Sequence, residues 1–86
     1  MPSKTAVVGS AVGLHARPAT LIAEAAAEYD DEVLLSVEGQ DPVDAGSSLM
    51  IMTLGAEKGA VVTVESDNPE AVDAIAALVE QDLDAE

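Results

Sequence analysis

The sequence predicts an α+β fold: four strands and three helices in the order βαββαβα, forming an antiparallel sheet with the helices on one face. Three observations carry that reading. Apolar residues recur with a helical period in some segments and as short β-branched runs in others. Glycine and proline punctuate the joints between those segments. Apolar residues make up 49% of the 86, too many for a disordered acidic chain and enough for a packed core. At roughly 150 residues per domain, the whole of 1–86 reads as one domain.

The first strand is expected over the β-branched run from Thr5 to Gly9, with a loop of small residues from there to Gly13. From Ala16 the pattern turns helical, and Ala19, Ile22, Ala26 and Tyr29 fall on one stripe. Pro18 places the start of that helix just before itself, because a helix accepts proline only in its first turn. Arg17, Thr20, Leu21, Glu24 and Glu28 gather on a second face at ~100° per residue. Glu32 to Glu38 reads as the second strand, and Gly39 with Asp41-Pro42 turns the chain into a short third strand near Val43. Ser47 to Leu54 makes one or two helical turns closed by Gly55, and Ala60 to Glu65 is the fourth strand. Asn68 caps the last helix, with Pro69 at its first position. Val72, Ile75, Ala76, Val79 and Leu83 supply that helix's core stripe.

Charge and composition remove several classes of function. Seventeen acidic residues stand against three basic ones, a net charge of -14, and the bases are Lys4, Arg17 and Lys58. So few cations cannot track a phosphate backbone or an anionic membrane, so neither nucleic acid nor a lipid surface is an expected partner. Acids such as Glu24, Glu28, Asp41, Glu57, Glu65, Asp73 and Asp82 are spread along the chain, not arrayed on one face as a nucleic-acid mimic requires. That spread suits a solvated surface adapted to molar salt, where the Debye length is ~3 Å; a charge kept for a basic partner is the other reading. Absence of cysteine excludes thiol catalysis and thiolate metal sites. With no run near ~18 apolar residues and no signal-peptide pattern, a cytoplasmic location is expected.

The one histidine and the one arginine sit two residues apart, in Gly13-Leu14-His15-Ala16-Arg17-Pro18. That places His15 at a helix N-terminus, where unpaired backbone N–H groups and the positive dipole end favour phosphate. Arg17 adds a planar fork of donors matched to two phosphate oxygens. The free imidazole titrates near ~6.5 and a helix N-terminus lowers that value, leaving His15 neutral and nucleophilic at pH 7. A histidine that only caps its helix is the plainer alternative, but the joint placement of His15, Arg17 and Pro18 favours phosphoryl chemistry. One histidine without clustered carboxylates is too few ligands for a metal, and no nucleophile elbow marks a hydrolase. In the short helix Leu49, Met50, Ile51, Met52 and Leu54 are apolar nearly all round, so one side meets solvent or a partner. Ser47 and Ser48 read as its cap.

GLHARPAT, followed some thirty residues later by SSLMIMTLGA, resembles the HPr family, histidine-containing phosphocarriers of the phosphoenolpyruvate-dependent sugar phosphotransferase system. The resemblance covers essentially the whole chain. It implies an HPr-like open-faced β-sandwich, four antiparallel strands with three helices on one face. It implies that His15 accepts a phosphoryl group through Nδ1, with His15, Ala16 and Arg17 binding the phosphate. The donor would be phosphorylated Enzyme I and the recipient an enzyme IIA component, with no cofactor. On this reading the protein is a monomeric carrier whose turnover belongs to its partners. A carrier feeding a dihydroxyacetone kinase or a regulatory nitrogen-type branch stays open, as does a non-phosphorylated acidic binding module. The implied partner face comprises Thr20, Leu21, Leu49 and Met50, and Ser47 falls at the family's regulatory serine. Two departures stand out: Gly46 precedes and Ser48 follows Ser47 where the family places a basic residue before and two large apolar residues after, and Glu24, Glu28 and Met50 occupy a face that is usually basic.

Overall fold

The computed structural model describes residues 2–9, 13–14 and 16–81. Its elements are β1 (Ser3–Val7), α1 (Ala16–Ala27), β2 (Val33–Val37), β3 (Val43–Asp44), α2 (Ser48–Thr53), β4 (Val61–Ser66) and α3 (Pro69–Glu80), the expected order. The strands form one antiparallel sheet in the spatial order β1-β4-β2-β3. Burial alternates along β4, as a sheet covered on one side predicts, and β2 buries Val33 and Leu35 to the same face. Ala6, Val33, Leu35, Val62 and Val64 are buried under the helices, while Thr5, Val7 and Val61 face solvent.

β1 begins two residues before its expected start and ends at Val7, not Gly9. Pairing with β4 decides this: the register runs from Ser3 opposite Glu65 to Val7 opposite Val61. Past Val7 the chain leaves the ladder, although Val8 N–H still reaches the Ala60 carbonyl at 2.9 Å. Tyr29, expected on the α1 stripe, lies beyond the end of the helix and packs half-buried against the core. Leu83 lies outside the described residues.

Both later helices start where a side chain meets an orphan backbone donor. Asn68 Oδ1 accepts from the Glu70 N–H at 3.0 Å, with Pro69 in the first helical position. Ser47 Oγ accepts from the Met50 N–H at 3.4 Å. Between helices and sheet lies a core of aliphatic residues, with Ile22, Leu35, Ile51, Ile75 and Val79 fully buried. Each such side chain contributes about 1.5–3 kcal/mol by leaving water. Ala19 on α1 and Ala71 and Ala76 on α3 are also fully buried. Small side chains there let α1 and α3 approach closely, so this core closes without a buried aromatic ring. No described helix is long and apolar enough to cross a membrane.

Candidate functional site

The chain enters α1 from a fixed point. Leu14 is 3% exposed, and its N–H donates to the Ala56 carbonyl at 2.9 Å. Gly13, just before it, adopts φ +74°, a conformation that residues with a Cβ rarely take. His15, the expected phosphoryl acceptor, lies outside the described residues; its covalent neighbours, Leu14 and Ala16, are both within them. α1 begins at Ala16, with Pro18 in its first turn as expected. The opening turn of any helix leaves N–H groups without intrahelical partners and carries the positive dipole end.

Arg17 is exposed on that turn. Among the described residues it pairs with no carboxylate, since the one ion pair there joins Lys4 Nζ to Asp73 Oδ1 at 3.8 Å. That pair is exposed on both sides and contributes at most about 1 kcal/mol. In a chain with seventeen acids, an arginine without an acidic partner among the described residues keeps its donor fork open to an incoming anion. Pro18 and Ala19, which follow, are buried and anchor the turn from below.

The other expected site residues divide by what they touch. Leu21, Leu49 and Met50 are 38%, 72% and 43% exposed, on two helices that pack against each other. Thr20 is exposed too, but its Oγ1 donates to the Ala16 carbonyl at 2.7 Å and so serves its own helix first. Ser47 is the N-cap of α2 and half-buried. Of the two methionines in α2, Met52 packs against the core and Met50 stands in solvent. Among the described residues no group of three or more histidines and carboxylates could hold a metal ion.

Two features escaped sequence reasoning. One is an open groove of about 360 Å³ between α1 and α3, lined by Leu21, Ala25 and Leu78 with Glu24 and Glu28. Glu24 and Glu28 were legible as an exposed pair; their neighbour Leu78 was not, because helix adjacency is a property of the fold. The other is the approach of Ala56 and Glu57 to Gly13. Its only trace in the sequence is a glycine two residues before the histidine.

Comparison with known proteins places this arrangement. The family model described as "PTS HPr component phosphorylation site" matches residues 2–81. Phosphocarrier protein NPr of Klebsiella oxytoca is 33% identical over 76 residues, covering 88% of this chain and 84% of that protein. The crystal structure of HPr-C-His from Thermoanaerobacter tengcongensis superposes with a TM-score of 0.87 at 30% identity, covering 100% of this chain and 99% of that one. An HPr dimer from the same organism gives a TM-score of 0.71 at 30% identity, covering 99% of this chain and 100% of that one.

Proposed function

The chain belongs to the HPr family of phosphotransferase-system phosphocarriers, and on that premise we propose that His15 accepts a phosphoryl group from phosphorylated Enzyme I and passes it to an enzyme IIA component in sugar uptake. The observation that carries the proposal is the meeting of the His15-Ala16-Arg17 motif with the first turn of α1, where Arg17 is exposed and free of described carboxylates. In the transfer, the lone pair of one imidazole nitrogen attacks phosphorus. The bond from phosphorus to His15 forms as the bond to the donor breaks, so the donor regains its own electron pair. In this proposal, charge on the moving phosphoryl oxygens is met by the Arg17 guanidinium and by N–H groups of the first turn of α1. Delivery to the acceptor reverses the same step.

Leu21, Leu49 and Met50 form the docking surface in this proposal, with Thr20 beside them, and Ser47 is a modification site only at the expense of its cap. Carriage without turnover, a cytoplasmic location and a single 1–86 domain belong to the same reading. So does a monomeric working state, which sedimentation at the working concentration tests against the dimer seen for the Thermoanaerobacter protein. Likeness to the Klebsiella NPr phosphocarrier favours, as a second reading, a regulatory nitrogen-type branch in place of sugar uptake. Incubation with Enzyme I and labelled phosphoenolpyruvate, wild type beside His15→Ala, tests the acceptor. Acid-labile label on the wild type alone is expected; label on both proteins, or on neither, overturns the assignment.

A further inference from the structure

Both ends of the segment joining β1 to α1 are tied to one short loop, the one that joins α2 to β4. At the β1 end, Val8 N–H donates to the Ala60 carbonyl at 2.9 Å, and Gly59 N–H donates back to the Val8 carbonyl at 2.9 Å. At the α1 end, Leu14 N–H donates to the Ala56 carbonyl at 2.9 Å. The tying loop is itself closed by Ala60 N–H on the Glu57 carbonyl at 2.9 Å, so its anchor points are held relative to one another. Gly13 is what makes the second tie possible. A Cβ on Gly13 would run into the Ala56 carbonyl oxygen and stand 2.8 Å from the Glu57 Cα, both backbone atoms that cannot swing aside. Ala56 is buried, which removes solvent as a competitor for its carbonyl.

We propose that the α2–β4 loop is a positioning bracket for phosphoryl transfer: the Ala56 carbonyl, reached across the bare face of Gly13, fixes Leu14 and thereby sets where the chain delivers residue 15 to the start of α1. Gly13 and Ala56 are positioning residues, since neither carries a group that touches phosphate. The inference rests on the reading of His15 as acceptor. Its physical basis is that a reacting group displaced by about 1 Å loses on the order of a hundredfold in rate, even when every catalytic group is present.

Gly13→Ala tests it, with Gly39→Ala as the matched control. Gly39 has φ +84°, and a Cβ added there would meet nothing within 4 Å, so its substitution carries the same backbone strain without a collision. Two readouts are taken: the maximal rate of transfer from phosphorylated Enzyme I at saturating carrier, and the NMR titration of the chain's one histidine in the unphosphorylated protein. In Gly13→Ala, transfer is expected to fall by about tenfold to a hundredfold and the His15 titration to move, while Gly39→Ala keeps both at wild-type values. Gly55→Ala, which strains the entry to the bracket at φ +63° without a collision, takes the place of Gly13→Ala if that variant does not fold. Wild-type transfer and titration in the bracket variant would overturn the bracket. A wild-type protein that Enzyme I fails to label overturns the acceptor reading instead, and the titration still decides whether the bracket sets the environment of His15.

Discussion

Arg17→Lys keeps a positive charge on the first turn of α1 and removes the planar fork that engages two phosphate oxygens at once. A lysine at that position offers a point charge on a flexible stem, so at least one charge-assisted contact to the moving phosphoryl group is lost. Such a contact is worth about 1.5–3 kcal/mol, or roughly tenfold to a hundredfold in rate when felt fully in the transition state. The fold has no comparable stake in this side chain. Arg17 is exposed and makes no ion pair among the described residues, so its replacement belongs with surface changes of within about 0.5 kcal/mol. At ~4–8 °C per kcal/mol for a chain of this size, Tm moves by no more than about 4 °C. Single-turnover transfer from phosphorylated Enzyme I at saturating carrier isolates the chemical step from docking. Leu21→Ala is the complementary variant: it should raise the carrier concentration needed for half-maximal rate and leave the saturated rate alone. An Arg17→Lys protein that transfers at the wild-type rate would show that backbone N–H groups alone hold the phosphoryl group, and the role assigned to Arg17 would be wrong.

Stability should rise with salt, because a net charge of -14 repels itself: unfolding midpoints measured from ~0.1 M to ~3 M KCl gain ~4–8 °C for each kcal/mol of repulsion screened, and a flat or falling series refutes the high-salt reading. The two helix caps should differ, with Asn68→Ala costing about 1 kcal/mol and Ser47→Ala nearer 0.5, since the Ser47 bond is 3.4 Å against 3.0 Å; denaturant titration that ranks them the other way refutes the inference from length. Phosphoryl acceptance needs the neutral imidazole, so the rate should hold above the pH at which His15 titrates and fall as pH drops through it; a rate that rises on acidification would rule out imidazole as nucleophile.

Local signals located the elements, and non-local pairing set their edges. Asn68 with Pro69 marks the start of α3 because capping is a contact between residues close in the chain. β1 shows the opposite case. Ser3 and Lys4 are polar and exposed, so nothing in their neighbourhood suggests a strand, yet β4 pairs with them through Glu65 and Val64. The buried stripe of α3 was legible through Val72, Ile75, Ala76 and Val79, as was the exposed face of α1 through Arg17, Thr20, Leu21 and Glu24, whereas Glu28, expected on that face, is exposed just past the end of the helix. The groove between α1 and α3 was not legible, since Leu78 joins Leu21 only after the helices pack. Gly13 against Ala56 is the same kind of fact: the two are far apart in the chain and adjacent only in the fold.

The anion site proposed for so acidic a chain depends on separating local chemistry from global charge. On α1 the nearest carboxylate to Arg17 is Glu24, seven residues and about 10 Å of helix rise away. The Debye length is already ~8 Å at physiological ionic strength and ~3 Å at 1 M, so an exposed Glu24 is felt only weakly at the first turn. A guanidinium–phosphate contact at ~3 Å suffers far less, because no screening ions fit between the partners. Glu57 is the acid nearest the bracket, but the approach to Gly13 is made by its backbone, and the residue itself is exposed. High salt therefore removes the penalty of the acidic surface and leaves the short-range contacts that define the site. The same condition weakens charge steering between carrier and partner, which in the proposed function shifts the burden of docking onto Leu21, Leu49 and Met50, exposed residues whose apolar contacts salt does not screen.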